Sequence, residues 1–305
     1  MADAPATRML TATGLRALRL LARVPRSAGL PVAAALGRAA AVVSPRRPAV
    51  AANMARVLGA GATGHEVDRL VAAVFANQAR NYFDLLHFAG RDRQALDGVA
   101  DVSRCLRALQ GLGDSGAVAV TLHYGNLDIV GQVVGQAGVR ALAVVERIRP
   151  PALFHLVTGI RARTGLELVP VDRAPRLVLR AVRARRVVVL AADRDAGGGV
   201  MEVPFFGAPA LVPYGYARLA LRAGVPLLLV YARRGADQTF TLHAHLHRPS
   251  RAGGHRAGAV EALVRHVLCF YEDVIASDPA QWVLFHTPWP PTPASADAPH
   301  RTPRP

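Results

Sequence analysis

At 305 residues with 51% hydrophobic side chains, the chain can bury a sizeable core as one large domain or two smaller ones, and a mainly disordered protein is excluded. Its formal charge of +16 rests on 37 basic residues, every one an arginine. That excess favours an anionic partner, whether a phospholipid surface, nucleic acid or a phosphorylated substrate. Two cysteines, Cys105 and Cys269, stand in no metal-type spacing, so no disulfide framework is expected and a reducing compartment fits.

Residues 1 to about 110 read as helical. In the first segment, at about 100° per residue, Arg16, Arg19 and Arg23 share a narrow sector. Leu10, Leu18, Leu21 and Val24 lie opposite, Leu15 and Leu20 flank the arginines, and Pro25 marks an end. Two readings stay open: a helix lying in a membrane interface with its arginines towards anionic head groups, or a surface helix packing its leucines on the core. Arg8, Arg16, Arg19 and Arg23 interrupt every apolar run there, which argues against a spanning helix or a cleaved signal peptide. Further helices are expected in SAGLPVAAALGRAAAVV, AANMARVLG and HEVDRLVAAVFANQARNYFDLLHF.

From Gly116 onward short apolar runs alternate with helical stretches: AVAVTL, NLDIVGQVVGQAG, RALAVVE, PPALFHLVTGIRARTG, LELVPV, APRLVLRAVRAR and RVVVLAAD. After a Gly-rich loop come YGYARLALRAG, VPLLLVYARR, QTFTLHAHLH and a last helix, GAVEALVRHVLCFYEDVIAS. Strand–helix–strand repetition implies an α/β fold with a largely parallel central sheet flanked by helices, preceded by the helical N-terminal region. The expected division is a helical, membrane-associating region over 1–110, an α/β core over 111–286 and a Pro-rich, disordered tail over 287–305. The uncharged stretches 203–217 and 279–296 carry three and five prolines, so neither forms an unbroken spanning helix.

Chemistry concentrates at GAVAVTLHYGNLD, residues 116–128. Its β-branched run reads as a buried strand ending in His123, with Gly125-Asn126 as a turn and Asp128 in the first turn of the next helix. A carboxylate that holds one imidazole nitrogen lets the other take a proton from an attacking hydroxyl. The alternative is a satisfied core histidine. A second H-x4-D pair, His87 to Asp92, follows an amphipathic segment and ends in a polar turn, so it reads as coincidence; only His123 ends a buried strand, where α/β enzymes place their chemistry. His243, His245 and His247 share one strand face, but the outer two lie about 13 Å apart by strand rise, too far for one metal ion. Gly197-Gly198-Gly199 lacks the residues of a phosphate-binding loop or a dinucleotide fingerprint.

The combination of TLHYGNLD (121–128), AADRDAGGGVMEVPFFG (191–207), ANMARVLG (52–59), VVERIRPPALFHLVTGIRARTGLELVP (144–170), VPYGYARLALRAGVPLLLVYARR (212–234) and PAQWVLFHTPWP (279–290) resembles the bacterial lipid A acyltransferase family. Within it the chain looks most like the actinobacterial phosphatidylinositol mannoside acyltransferases. The resemblance makes His123 the catalytic base and Asp128 its orienting carboxylate. Many members carry an aromatic residue before that acid, where this chain has Leu127. It implies acyl-CoA as donor with no further cofactor and no metal, and a phosphatidylinositol mannoside-type glycolipid as acceptor. A lipid A-type saccharolipid or a lysophospholipid is the alternative acceptor. Glu146 and Arg147 end a predicted strand at the edge that carries His123, and Arg161 and Arg163 lie on the following helix. The resemblance assigns this region to the acceptor site, with Glu146 and Arg161 matching best. It also implies acceptor recognition or site architecture for Asp193, Arg194 and Asp195, which close another strand, and for Glu202 beyond the glycines. Pro204, Phe205 and Phe206 would then wall the site or an acyl tunnel. The expected location is peripheral, on the cytoplasmic face of the cell membrane, against an anionic surface. No zinc-finger or recognition-helix pattern appears, so nucleic acid is not an expected partner; a non-catalytic basic membrane- or nucleic-acid-binding protein is the rival class.

Overall fold

The computed structural model describes residues 23–88, 93–96, 98–113, 115–136, 138–139, 141–146, 158–159, 166–195, 197–249 and 258–290. In chain order come three helices, α1 (Arg26–Val43), α2 (Arg47–Leu58) and α3 (Gly64–His87), then strand β1 (Ala100–Asp101) and helix α4 (Ser103–Gln110). They are followed by β2 (Ala117–Thr121), α5 (Leu127–Gln136), β3 (Ala141–Val145), β4 (Glu167–Pro170), α6 (Ala174–Arg183) and β5 (Val187–Ala191). A hairpin of β6 (Val200–Phe205) and β7 (Ala208–Pro213) precedes α7 (Gly215–Ala223), β8 (Leu227–Arg234), β9 (Phe240–His247) and α8 (Ala259–Ser277). The expected α/β class holds: the seven described strands of the main sheet run in the order β1-β9-β8-β2-β5-β3-β4, parallel except between β8 and β9.

The antiparallel β8–β9 pairing in that sheet follows from chain length between strands. Only residues 235–239 separate β8 from β9, enough for a hairpin and too few for the crossover a parallel pair requires. β2 occupies the middle, every residue buried, as a strand covered on both faces must be. Its alternate side chains enter different cores. Val118 and Val120 join a cluster with Leu229, Val264, Tyr271 and Trp282, while Ala117 and Ala119 join one with Cys105, Ile129 and Leu228. Ala41, Val50, Met54 and Val71 of α1–α3 belong to the first cluster, so the N-terminal helices share a core with the sheet.

Two features depart from the sequence reading. The β6–β7 hairpin forms a separate two-stranded sheet, pairing Val200 with Pro213 and Phe205 with Ala208. Residues 287–290 do not belong to a disordered tail: Trp289 is buried, stacks on Phe205 at 5.6 Å and donates its indole N–H to the Phe205 carbonyl at 3.1 Å. Composition averaged over the proline-rich end hides this one anchoring aromatic. The three β9 histidines share a face on which His245 is exposed and His243 and His247 are half-buried, each beside another ring. His243 stacks on Tyr231 at 4.5 Å, His245 lies 5.0 Å from Phe270 and His247 4.1 Å from His266.

Candidate active site

The site grows out of strand register. Thr121 ends β2 opposite Ala191, the last residue of β5, and the Ala192 amide donates to the Thr121 carbonyl at 2.8 Å. Two residues further along each strand, His123 and Asp193 therefore emerge side by side at the carboxyl edge of the sheet, where open α/β folds form their crevice. Asp193 Oδ1 lies 2.9 Å from His123 Nδ1. Asp193 Oδ2 accepts the His123 backbone N–H at 2.9 Å and the Trp282 indole N–H at 2.9 Å.

These contacts set the charge of Asp193. Burial alone would push the fully buried Asp193 carboxyl up, but the His123 charge and the hydrogen bonds from the His123 ring, the Trp282 indole and the His123 amide together hold it below its usual range. An ionised carboxylate against Nδ1 assigns the proton to that nitrogen and leaves Nε2 as the acceptor. The His123 side chain keeps 31% of its exposure while Asp193 keeps none. The imidazole thus reaches water while its carboxylate partner lies in the core.

The segment after α8 clamps the loop from outside. Val283 N–H donates to the His123 carbonyl at 2.7 Å, Gly125 N–H donates to the Gln281 carbonyl at 2.8 Å, and Tyr124 forms a β-bridge with Trp282. Buried Asn53, from the ANMARVLG stretch on α2, donates to the carbonyls of Leu284 (3.1 Å) and His286 (2.9 Å). His286 joins the site's electrostatics: burial first, then the Arg194 charge, push it down to about 4, with Asp193 opposing and His123 and Arg46 adding.

A buried ion-pair network holds the turn from below. Asn81 on α3 donates to the Gly125 carbonyl at 2.5 Å and accepts from Arg234 at 3.0 Å; Arg234 also pairs with Asp84 at 2.6 Å, and Asp84 with Arg26 at 2.9 Å. Gly125 itself has φ +61°, and a Cβ there would stand 1.5 Å from the Ala232 carbonyl oxygen, so no other residue fits this turn. Asn126 then starts α5, its side-chain oxygen accepting the N–H groups of Asp128 (3.1 Å) and Ile129 (3.4 Å).

The residues expected from sequence fall into three groups. His123 and Asp193 come together, Asp193 being the carboxylate at Nδ1. Asp128 is half-buried in the first turn of α5, near the positive end of that helix. Adjacent parallel strands bring Asp193 into contact with His123 across seventy residues, a partnership that spacing along the chain does not show. Glu146, just past β3, pairs with Arg194 at 2.5 Å, each about 40% exposed, so β3, β5 and β2 present Glu146, Arg194 and His123 along one edge. Asp195 is exposed and accepts the amides of Gly197 (2.8 Å) and Gly198 (3.0 Å), shaping the glycine loop. Glu202 is exposed on the hairpin, opposite Leu211. Arg147, Arg161 and Arg163, like Arg16 and Arg19, lie outside the described residues. Phe205 is buried among Phe206, Trp282 and Trp289 and walls the core behind Asp193. Sequence reasoning did not single out Trp282, His286 or Asn81. A tryptophan in an otherwise apolar segment signals an indole N–H in need of a partner, and that cue was available for Trp282.

A mostly parallel sheet with a carboxylate-held histidine at its carboxyl edge defines an α/β protein with the usual position for enzyme chemistry. The family model for bacterial lipid A biosynthesis acyltransferases matches residues 4–290, and the chain belongs to that family. It is similar to the phosphatidylinositol mannoside acyltransferase of Mycobacterium tuberculosis (strain CDC 1551 / Oshkosh), with 29% identity over 247 residues, 78% of this chain and 75% of that protein. Its similarity to the phosphatidylinositol mannoside acyltransferase of Mycolicibacterium smegmatis is 28% over 245 residues, 78% and 77% of the two chains.

Proposed function

We propose that this acyltransferase moves a fatty acyl group, palmitoyl-like in length, from acyl-CoA to a mannose hydroxyl of a phosphatidylinositol mannoside. It would work peripherally at the cytoplasmic face of the membrane. The observation that carries the reading is the 2.9 Å contact between His123 Nδ1 and buried Asp193 at the carboxyl edge of the sheet. The acceptor rests on similarity to the mycobacterial enzymes.

In this reading Nε2 of His123 takes the hydroxyl proton while the oxygen attacks the thioester carbonyl. Asp193 keeps the ring in the right tautomer and stabilises the imidazolium without accepting the proton. The tetrahedral intermediate collapses with cleavage of the C–S bond, and the imidazolium returns its proton to the departing CoA thiolate. Ester and thiol leave, and the base is regenerated. No covalent acyl-enzyme is needed, since neither Ser nor Cys accompanies His123 in the motif. Arg194, held by Glu146, offers a guanidinium to the acceptor's phosphate. Arg147, Arg161, Arg163, Asp195 and Glu202 are the further acceptor-side candidates. Asp128, in the first turn of α5, is the motif's second candidate for the carboxylate that orients His123.

Purified protein with palmitoyl-CoA and a phosphatidylinositol mannoside tests the proposal. His123→Ala should lower kcat by about 10²–10⁴-fold. Turnover within twofold of the parent rejects the base, and turnover confined to a lipid A-type or lysophospholipid acceptor rejects the acceptor.

A further inference from the structure

α3 carries a polar stripe on the face it turns to the Gly125 turn. Asn77, Arg80, Asn81 and Asp84 follow one another at i, i+3, i+4 and i+7. Asn77 donates to the Ala280 carbonyl at 2.8 Å, and Asn81 to that of Gly125. Arg80 Nη1 donates to Asn77 Oδ1 at 2.9 Å. From the end of β8, buried Arg234 joins them, its Nη2 donating to Asn81 and Asp84. Two guanidinium N–H groups are left over. Arg80 Nε and Arg234 Nη1 are buried with no hydrogen-bond partner among the described residues.

The charges do not balance either. Gly37 of α1 fits against the backbone of Phe75 and Ala76 on α3, which brings Arg38 within reach of Arg80. The charges of Arg234 and Arg38 both work against that of Arg80, and among the described residues Asp84 is the only acid that favours it. Asp84 already accepts from Arg26 and Arg234, so Arg26, Arg38, Arg80 and Arg234 share one carboxylate. The Phe240 ring, 4.5 Å from the Arg234 guanidinium, offsets only part of that excess. A buried donor without an acceptor and a buried cation without a counter-charge both cost stability, and each asks for a partner. Access is graded: Arg38 is exposed, Arg80 half-buried and Arg234 buried. A phosphate group with two negative charges meets both deficits, since its oxygens accept from guanidinium forks and its charge offsets the excess. A carboxylate would offset less.

We infer that Arg80 and Arg234, with Arg38 at the rim, form a binding site for a doubly charged phosphate group beside the Gly125 turn. Arg234 and the Gly125 carbonyl share Asn81, so the bound phosphate stands one side chain away from the loop that carries His123. The site takes nothing from the acyl-transfer reading. Such a phosphate arrives either as the free ion or on a larger ligand, the ribose monophosphate of CoA being one.

Titration calorimetry of the full chain with inorganic phosphate, CoA and dephospho-CoA tests the inference. The parent should bind phosphate, and Arg80→Gln should weaken that binding by about tenfold or more. Arg38→Gln, at an exposed position that leaves the fold intact, should weaken it by less. Melting curves give a second readout. Without ligand, Arg80→Gln should melt no lower than the parent, because it removes a desolvated cation that two others repel. With low-millimolar phosphate the parent's melting temperature should rise and the variant's should not. A purely structural arginine gives the reverse, a lower melting temperature with an unchanged response to phosphate, and that result overturns the inference. So does a phosphate effect of equal size in the parent and both variants, which is a general salt effect. If CoA binds more tightly than dephospho-CoA in the parent but not in Arg80→Gln, the site stands and CoA supplies the phosphate. If the two bind alike while phosphate binding depends on Arg80, the site stands and takes the free ion.

Discussion

The carboxyl edge of the sheet is held in two different ways along its length. Where β2 and β5 end, His123 and Asp193 are fixed by a 2.9 Å side-chain contact, by the Trp282 indole, by the Val283 amide and, through Gly125, by buried Asn81. Where β3 ends and the hairpin begins, Glu146, Arg194, Asp195 and Glu202 are half-exposed or exposed, and among the described residues one surface ion pair and two turn amides hold them. The overdetermined half suits a proton transfer, which tolerates little displacement. The open half suits a head group that must arrive and leave. Substitutions should split accordingly, with kcat falling in the first half and KM rising in the second.

Asp193→Asn gives the largest expected effect after removal of the base itself. The amide keeps the volume but can present its N–H₂ to Nδ1, which favours the tautomer with the proton on Nε2, where it cannot act as base. Loss of kcat by about 10²–10⁴-fold with a nearly constant KM is expected from steady-state kinetics. Asp128→Asn should cost less, because Asp128 is not the carboxylate at Nδ1. If Asp128→Asn proves the more damaging of the two, the imidazole changes partner during the reaction and the comparison above collapses.

The uneven legibility of this edge has a physical origin. β2, α5 and β5 show in the sequence because a doubly covered parallel strand is an almost continuous apolar run, and His123 stands out as the polar residue that ends one. Asp193 was visible as a strand-end acid too, but its partnership depends on β5 lying next to β2, with β3 and β4 beyond it. Periodicity says nothing about such strand order. Trp282 reaches Asp193 across 89 positions for the same reason. The β6–β7 hairpin was hidden by Pro204, Pro209 and Pro213, which read as loop breakers but are tolerated in a ribbon whose two strands are both edges. The exposure of Val32, Leu36 and Val43 on α1 was invisible because a helix apolar on every side looks buried until its packing partners are counted.

Breaking the Glu146–Arg194 pair probes the open half. Both side chains are about 40% exposed, so the pair contributes at most about 1 kcal/mol to stability and Glu146→Gln should leave the melting temperature almost unchanged. Its expected signature is kinetic: a several-fold rise in KM for the phosphorylated acceptor, little change in KM for acyl-CoA and little in kcat. Arg194→Gln should do the same more strongly, since it removes the cation that would meet the phosphate. A fall in kcat equal to that of Asp193→Asn would show that the edge acts as one unit.

The smallest expected effect is a pH dependence, and it belongs to the boundary between the halves. His286 titrates near 4 in the folded protein, against about 6.5 for a histidine in an unfolded chain, because burial and the Arg194 charge disfavour its cation. Between those values the unfolded chain binds more protons than the folded one, so stability should fall as pH drops from about 6.5 towards 4. Asp193, held below its usual range, adds a loss in the same direction at the acid end. Thermal melts of the parent and of His286→Gln across this window separate the two contributions. The substitution should flatten the slope between about pH 6.5 and 4 while leaving the steeper acid limb, because a neutral amide has no proton to gain where the imidazole does. Arg194→Gln should flatten it partly, by removing the charge that depresses His286, and parallel melting curves for parent and His286→Gln would detach His286 from the electrostatics of this edge.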